Sequence, residues 1–338
     1  MNSLFAMLQA YPLYCVQAGL MVFFDLAAVG VPLLAIACLA RSGTRRLNLH
    51  LARQLSALGA TLHGLVLLGA VTWGLLAPRL PGGGRHGHGL ASLLKLDGYV
   101  WWNSPYRRIA LAVLALCAVA FLVLMLLSML WTKLRSSMAV LWLGELLAAF
   151  LSLGKWAGIF CGLWHKPGVF PAFFQGGGFY PLLWTLFFMG IGISGAAAMI
   201  WLLLRRSRDD FGRDYYAFAA RKCARFAGWS GLLALPGLML LILCCLMWMV
   251  NGGIAWNPAA LLDVSALRGL FSQALSKADV LAWLLPVMLA APVVSFACGG
   301  FISGASVPMR RKLSMVFCWL CWMLAALALI RLLFLLAL

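Results

Sequence analysis

The chain has 338 residues, 64% of them hydrophobic and 10% charged, with a net charge of +18. A soluble domain carries about 25% charged residues, so the composition excludes a water-surrounded fold and points to a bilayer. Backbone polar groups in hydrocarbon must be satisfied internally, which leaves helices or closed barrels; the apolar runs here are long, continuous and not alternating, so helices follow.

A spanning helix needs about 20 apolar residues to cross a core of about 30 Å. The runs predict eight such helices, at residues 13–40, 51–78, 107–132, 137–164, 179–204, 219–250, 279–302 and 312–338. The first forty residues hold no Lys or Arg and no small-residue cleavage site, so the first helix is expected to remain in the protein rather than act as a removed leader. Between the second and third helices comes a polar, Gly-rich turn, Gly82 to Gly89, and then Trp101-Trp102, which suit an aromatic belt. His86 and His88 in that turn are too few for a closed zinc site, which takes four ligands. Between the sixth and seventh helices, Leu267, Leu270, Phe271, Ala274 and Leu275 recur at helical spacing with Arg268, Ser272, Gln273 and Ser276 between them. That pattern predicts a short amphipathic helix lying on the outer interface.

Basic residues set the orientation. The loops after helices one, three, five and seven hold 16 Lys and Arg; the other side holds 8. Both termini are therefore expected outside. The same scattered charge suits headgroups of membrane lipids, and without a soluble domain it gives no element to fit a nucleic-acid groove. Nine of the ten cysteines, all but Cys223, lie in apolar runs, where they act as small hydrophobes. No phosphate loop, dinucleotide fingerprint, metalloprotease helix or serine-hydrolase elbow is present, so no catalytic residue and no metal site is assigned.

Short echoes link the two halves. Tyr11-Pro12-Leu13 opens helix one and Tyr180-Pro181-Leu182 helix five; Ala52-Arg53 begins helix two and Ala220-Arg221 helix six; Ser137-Met138 begins helix four and Ser314-Met315 helix eight. Four helices per half is an even number, so the repeats would run in the same direction. The expectation is an all-α integral membrane protein built as two tandem four-helix bundles in parallel repeat, 1–170 and 171–338.

Charges near the bilayer centre cost about 2.5–3.5 kcal/mol each, so each needs a reason. Asp25, Glu145, Lys155 and Arg331 are the clear cases, with His63 and Gln17 beside them. Asp25 and His63 each lie roughly 18 Å into their helices from opposite sides, at 1.5 Å per residue, so a hydrogen-bonded pair near the midplane is geometrically open. Glu145 and Lys155 are ten residues apart, about 280° of rotation, so they are expected to point to different faces and not to be partners. Lys155 falls 17 residues past Met138 and Arg331 falls 16 past Met315, matching places in the two halves. Long basic side chains there either snorkel to headgroups or face a cavity and hold an anionic or carbonyl-bearing ligand such as a quinone. Haem b would need His63 with a nearby Met, since no second histidine lies at its depth.

Tyr180-Pro181-Leu182 opens a helix with Gly190, Gly192 and Gly195, and Gly144-Glu145-Leu146 sits in helix four. With the eight-helix count, these make the chain resemble the quinol-interacting membrane anchors of bacterial respiratory complexes, the DmsC and NrfD type, and more distantly cytochrome bd-type oxidase subunits. After His63 the chain reads Gly64-Leu65, not the Leu-His-x-Gly-x-Pro run that such anchors can carry. The resemblance implies a multi-pass, non-catalytic subunit of an oxidoreductase complex in the bacterial inner membrane. Such a subunit exchanges electrons between quinone or quinol and a redox partner subunit on the outer face. Lys155, Arg331, Glu145, Asp25 and His63 are its candidate cofactor-binding residues. Buried charges and parallel repeats equally fit a secondary transporter, or a non-catalytic anchor in which they only fix packing.

Overall fold

The computed structural model describes residues 12–40, 46–76, 105–134, 137–165, 169–207, 211–254, 264–278 and 280–336. In chain order the α-helices are α1 (Pro12–Leu39), α2 (Arg46–Leu76), α3 (Pro105–Leu134), α4 (Met138–His165), α5 (Val169–Phe173), α6 (Phe179–Arg205), α7 (Arg213–Asn251), α8 (Val264–Lys277), α9 (Leu281–Gly304) and α10 (Lys312–Leu335). A π-helical turn, Phe174–Gly178, joins α5 to α6, and a 3-10 turn, Pro308–Arg310, precedes α10. No strand occurs among the described residues. Among the described residues, eight helical spans, α5 and α6 counting as one, are long and apolar enough to cross a membrane. The protein is an all-α, multi-pass membrane protein.

The helices overrun the predicted apolar cores where polar residues continue the same spiral. α2 starts at Arg46 and α7 at Arg213, five and six residues early. Helical hydrogen bonding does not stop where the hydrocarbon does, and α7 buries Tyr215 and Tyr216 in that extra stretch. The largest departure is ahead of α6, where helix extends back to Val169 through the π turn. Gly177 there has φ 97, and a Cβ on Gly178 would lie 2.3 Å from the Phe173 ring, so glycine is needed at both. The amphipathic helix forms as α8: Ala274 is buried, while Ser272, Gln273 and Ser276 are exposed. The Gly82–Gly89 turn with His86 and His88, Trp101-Trp102 and Tyr11 lie outside the described residues, as does the side chain of Gln17.

The chain divides into two compact units, one ending at His165 and the other beginning at Lys166. In the first, α1 packs on α2 and α4, and α3 packs on α2 and α4. This is a closed ring of four antiparallel neighbours, so α2 and α4 stand diagonally and run in the same direction. Large apolar side chains of α3 and α4, among them Met129, Leu143 and Phe150, are exposed. In water such a face would be an aggregation patch; in a bilayer it meets acyl chains.

The second unit has the same neighbour order, with α6 and α9 each packed on α7 and α10. Its core is closed by backbone approach. A Cβ on Gly195 would lie 2.8 Å from both Ala227 N and Cys223 O, and one on Gly299 would lie 2.6 Å from Ala224 O. A Cβ on Gly231 would meet Pro292 O at 2.5 Å. Small residues at a membrane helix interface let dispersion contacts replace the absent hydrophobic drive. Ser230, Ser194 and Ser295 return their hydroxyls to backbone carbonyls within this core.

Gly195→Val is expected to cost at least about 1–3 kcal/mol, because backbone on α7 cannot yield as a side chain would. Gly300→Ala, where a Cβ meets nothing within 4 Å, is expected to be neutral or stabilising by up to about 1 kcal/mol. Melting temperatures of the two variants in one detergent check this; equal losses would count against the packing argument.

Candidate functional site

Four of the five candidate residues, Asp25, His63, Glu145 and Lys155, come together in the first unit. All four are buried, Glu145 and His63 with no exposure at all. They enter from α1, α2 and α4, and two serines not singled out from the sequence complete the set.

Lys155 Nζ donates to Asp25 Oδ1, and the two form an ion pair between α4 and α1. Lys155 is 2% exposed, so of its two expected alternatives it does not snorkel to headgroups. Nor does Asp25 pair with His63. The ammonium is the stronger claimant on a carboxylate, since a buried charge without a countercharge is far more costly than a neutral imidazole without one. The expectation that Glu145 and Lys155 point to different faces also needs correction. A rotation of about 280° is about 80° the other way, and both side chains fall within the buried arc of α4. They do have separate partners.

Two rungs cross the bundle between the diagonal helices. In one, the Ser56 hydroxyl of α2 lies against Glu145 Oε1 of α4 and 3.0 Å from Ala52 O. In the other, the Ser152 hydroxyl of α4 lies 2.9 Å from His63 Nε2 of α2 and 2.7 Å from Ala148 O. Each rung joins residues 89 apart. Seven residues separate the rungs on both helices, roughly two turns and about 10 Å of rise. In each rung a serine holds a choice between a carbonyl four residues back and a titratable side chain opposite.

A serine hydroxyl has one hydrogen and two lone pairs, and this settles what the rungs can do. His63 Nδ1 sits 2.8 Å from Gly59 O, and a carbonyl only accepts, so Nδ1 carries a hydrogen. In the neutral ring, Nε2 is bare and Ser152 donates to it. When Nε2 is protonated it donates to Ser152, which turns its hydrogen to Ala148 O. The Ser56 rung works the same way. As a carboxylate, Glu145 accepts from Ser56; as an acid it donates to Ser56, whose hydrogen goes to Ala52 O. Either state is satisfied by rotating one hydroxyl. Glu145 Oε2 is buried with no hydrogen-bond partner, an open position on that carboxyl. His63 as placed has both nitrogens engaged within the protein, so a haem iron does not fit it without loss of the Ser152 bond. The described residues contain no group of three or more His, Cys, Asp or Glu able to hold a metal ion.

Arg331 does not join this set. It lies on α10 in the second unit and is half-buried. Its match with Lys155 is off by one residue, which is about 100° of helix rotation. Counting from the paired motifs, the second-unit positions matching Asp25, Ser56, His63, Glu145, Ser152 and Lys155 are Ser194, Ala224, Gly231, Trp322, Leu329 and Leu332. All six are buried. Trp322 packs where Gly192 leaves room, a Cβ there lying 2.2 Å from its ring. The six second-unit positions so counted are inward too, but none of them carries an ionisable side chain.

Ser56 and Ser152 had a signal in the sequence: polar residues seven apart on each of two helices, Ser56 with His63 and Glu145 with Ser152. Attention to charge alone passes over it.

Lys155→Met should cost about 3–5 kcal/mol by stranding Asp25, while Asp25→Leu with Lys155→Met should recover most of that loss. A double-mutant cycle on unfolding in detergent checks it, and additive losses would contradict a coupled pair.

No protein-family model, curated protein or solved structure matches the chain.

Proposed function

We propose that the chain is the membrane subunit of a respiratory electron-transfer complex that exchanges protons with quinone and quinol, in the inner membrane of a bacterium and with its termini outside. The observation that carries this reading is the pair of serine rungs leading toward the Asp25–Lys155 ion pair. Reducing a quinone takes two electrons and two protons. The electrons come from a redox partner subunit on the outer face; the protons need a path through a medium without water. Glu145 stands about 10 Å from the start of α4 and Ser152 about 10 Å further along, by helix rise. Lys155 follows one turn later. Glu145 takes up a proton at the inner side, His63 and Ser152 hold one midway, and Lys155 with Asp25 presents a polarised pair at the upper end. The stretch between the rungs, about 10 Å, is too long for one hydrogen bond and calls for bridging water, for which Glu145 Oε2 is the open anchor. On this reading the second unit is a copy that lost the relay and kept the packing.

A proton-coupled secondary transporter is the second reading. The observation favouring it is the enclosure of the Asp25–Lys155 pair, because a mutually neutralised pair is what a carrier would open for a cargo or a proton. A non-catalytic anchor is the third, with the polar residues serving only packing.

The test uses the complex extracted from membranes in mild detergent with its partners. Quinone should co-purify in stoichiometric amount. Glu145→Gln and Ser152→Ala should each slow quinol-linked turnover by about 10²-fold, the usual cost of losing a proton-transfer group, with the melting temperature little changed. An infrared carboxylic-acid band that titrates with pH should vanish in Glu145→Gln. Absence of quinone together with substrate flux in proteoliposomes, lost on Asp25→Asn, would move the assignment to transport. Absence of both, with variants that change only stability, would leave an anchor.

A further inference from the structure

The end of the first unit where α2 begins carries a cleft that the relay does not use. It is lined by Arg46, Leu49, His50 and Arg53 of α2 and by Trp131 and Thr132 of α3. Arg46, His50 and Arg53 fall at i, i+4 and i+7, one stripe along the helix. Lys133, which follows Thr132 in α3, is exposed. Leu49 and the buried Trp131 supply an apolar flank.

Among the described residues of the first unit, no acid is free to pair here. Residues 1–165 contain three: Asp25, Asp97 and Glu145. Asp25 is held by Lys155 and Glu145 is sealed against Ser56. Asp97 follows α2 in sequence and lies outside the described residues. The counterpart of Arg53 in the second unit is Arg221, and its side chain is satisfied from within. Its Nη2 donates to Ala305 O at 3.1 Å and Ser306 O at 3.0 Å, in the connection between α9 and α10. That connection runs from Ala305 to Arg311, whereas only three residues separate α3 from α4. The link in the first unit is thus four residues shorter than the one that supplies carbonyls to Arg221.

We infer that this cleft is a binding site for a phosphate-bearing anion, either the phosphodiester of an anionic phospholipid or a free phosphate species. Guanidinium forks match phosphate oxygens two at a time. The apolar flank gives an acyl chain a track beside the headgroup, and the basic count puts this end on the side where anionic lipid is richest. The site does not rest on the proton relay, and Glu145→Gln is expected to leave it intact.

The full chain, delipidated in non-ionic detergent, is titrated with phosphatidylglycerol, phosphatidylcholine and inorganic phosphate, with binding read by native mass spectrometry and by melting temperature. Phosphatidylglycerol should be retained over phosphatidylcholine. Arg53→Gln should weaken it about fivefold and Arg46→Gln with Arg53→Gln about 25-fold, each arginine near a membrane surface being worth about 1 kcal/mol. Arg221→Gln should lower the melting temperature without changing lipid binding. If phosphate stabilises the protein, and loses that effect in the double variant, while the two lipids bind alike, the occupant is the free anion. Equal binding of both lipids with no effect of phosphate would overturn the inference, as would a double variant that binds phosphatidylglycerol like the parent.

Discussion

An ammonium group inside a helical bundle is tolerable only with a carboxylate against it, and the first unit is arranged around that demand. Asp25 lies on the first helix of the ring and Lys155 on the last. Their contact therefore closes the ring at the seam where the chain gives no covalent help. Desolvating the two groups costs several kcal/mol each, and a well-packed apolar pair would do as well or better for stability alone. What the pair adds is selectivity. A different rotation of α1 or α4 would leave two uncompensated charges in a dry interior, so competing arrangements of the same apolar helices are excluded.

The two units solve one packing problem in two ways. The six polar positions of the first unit and the six paired with them by motif count in the second are all buried. The second fills them with Trp322, two leucines and small residues, and draws its backbones together through Gly195, Gly231 and Gly299. The first spends them on groups that bind and release protons. Such groups are costly in hydrocarbon, and their concentration at these positions in one unit, against none at the six counted positions of the other, is hard to attribute to packing.

Much of the fold was legible because the bilayer imposes a simple rule. Any run of about 20 apolar residues must be a helix, and some ends were then misplaced where polar residues prolonged a helix, as at Arg46 and Arg213. The π turn ahead of α6 was not legible, since its glycines look like a loop until the close approach of Phe173 is seen. The site was legible by cost: charge in hydrocarbon drew attention to Asp25, Glu145 and Lys155, and depth singled out His63. The partners were not. Depth placed Asp25 and His63 together, but depth fixes one coordinate and rotation another. The one-residue difference in count between Lys155 and Arg331 was enough to turn one inward and leave the other half-buried. The serines escaped because a hydroxyl is inexpensive to bury when it bonds to a carbonyl one turn back.

The equal offset of the two rungs also works as a gauge. α2 and α4 run in the same direction, so a slide of one turn, about 5.4 Å, would shift both rungs together. Glu145 would then face the neighbourhood of Ala60 in place of Ser56, and His63 would lose Ser152 in the same movement. Two marks on each of two rulers agree at one alignment only. Any motion that carries this unit through a working cycle must therefore tilt or rotate the diagonal helices as a pair, because shear between them forfeits both contacts at once.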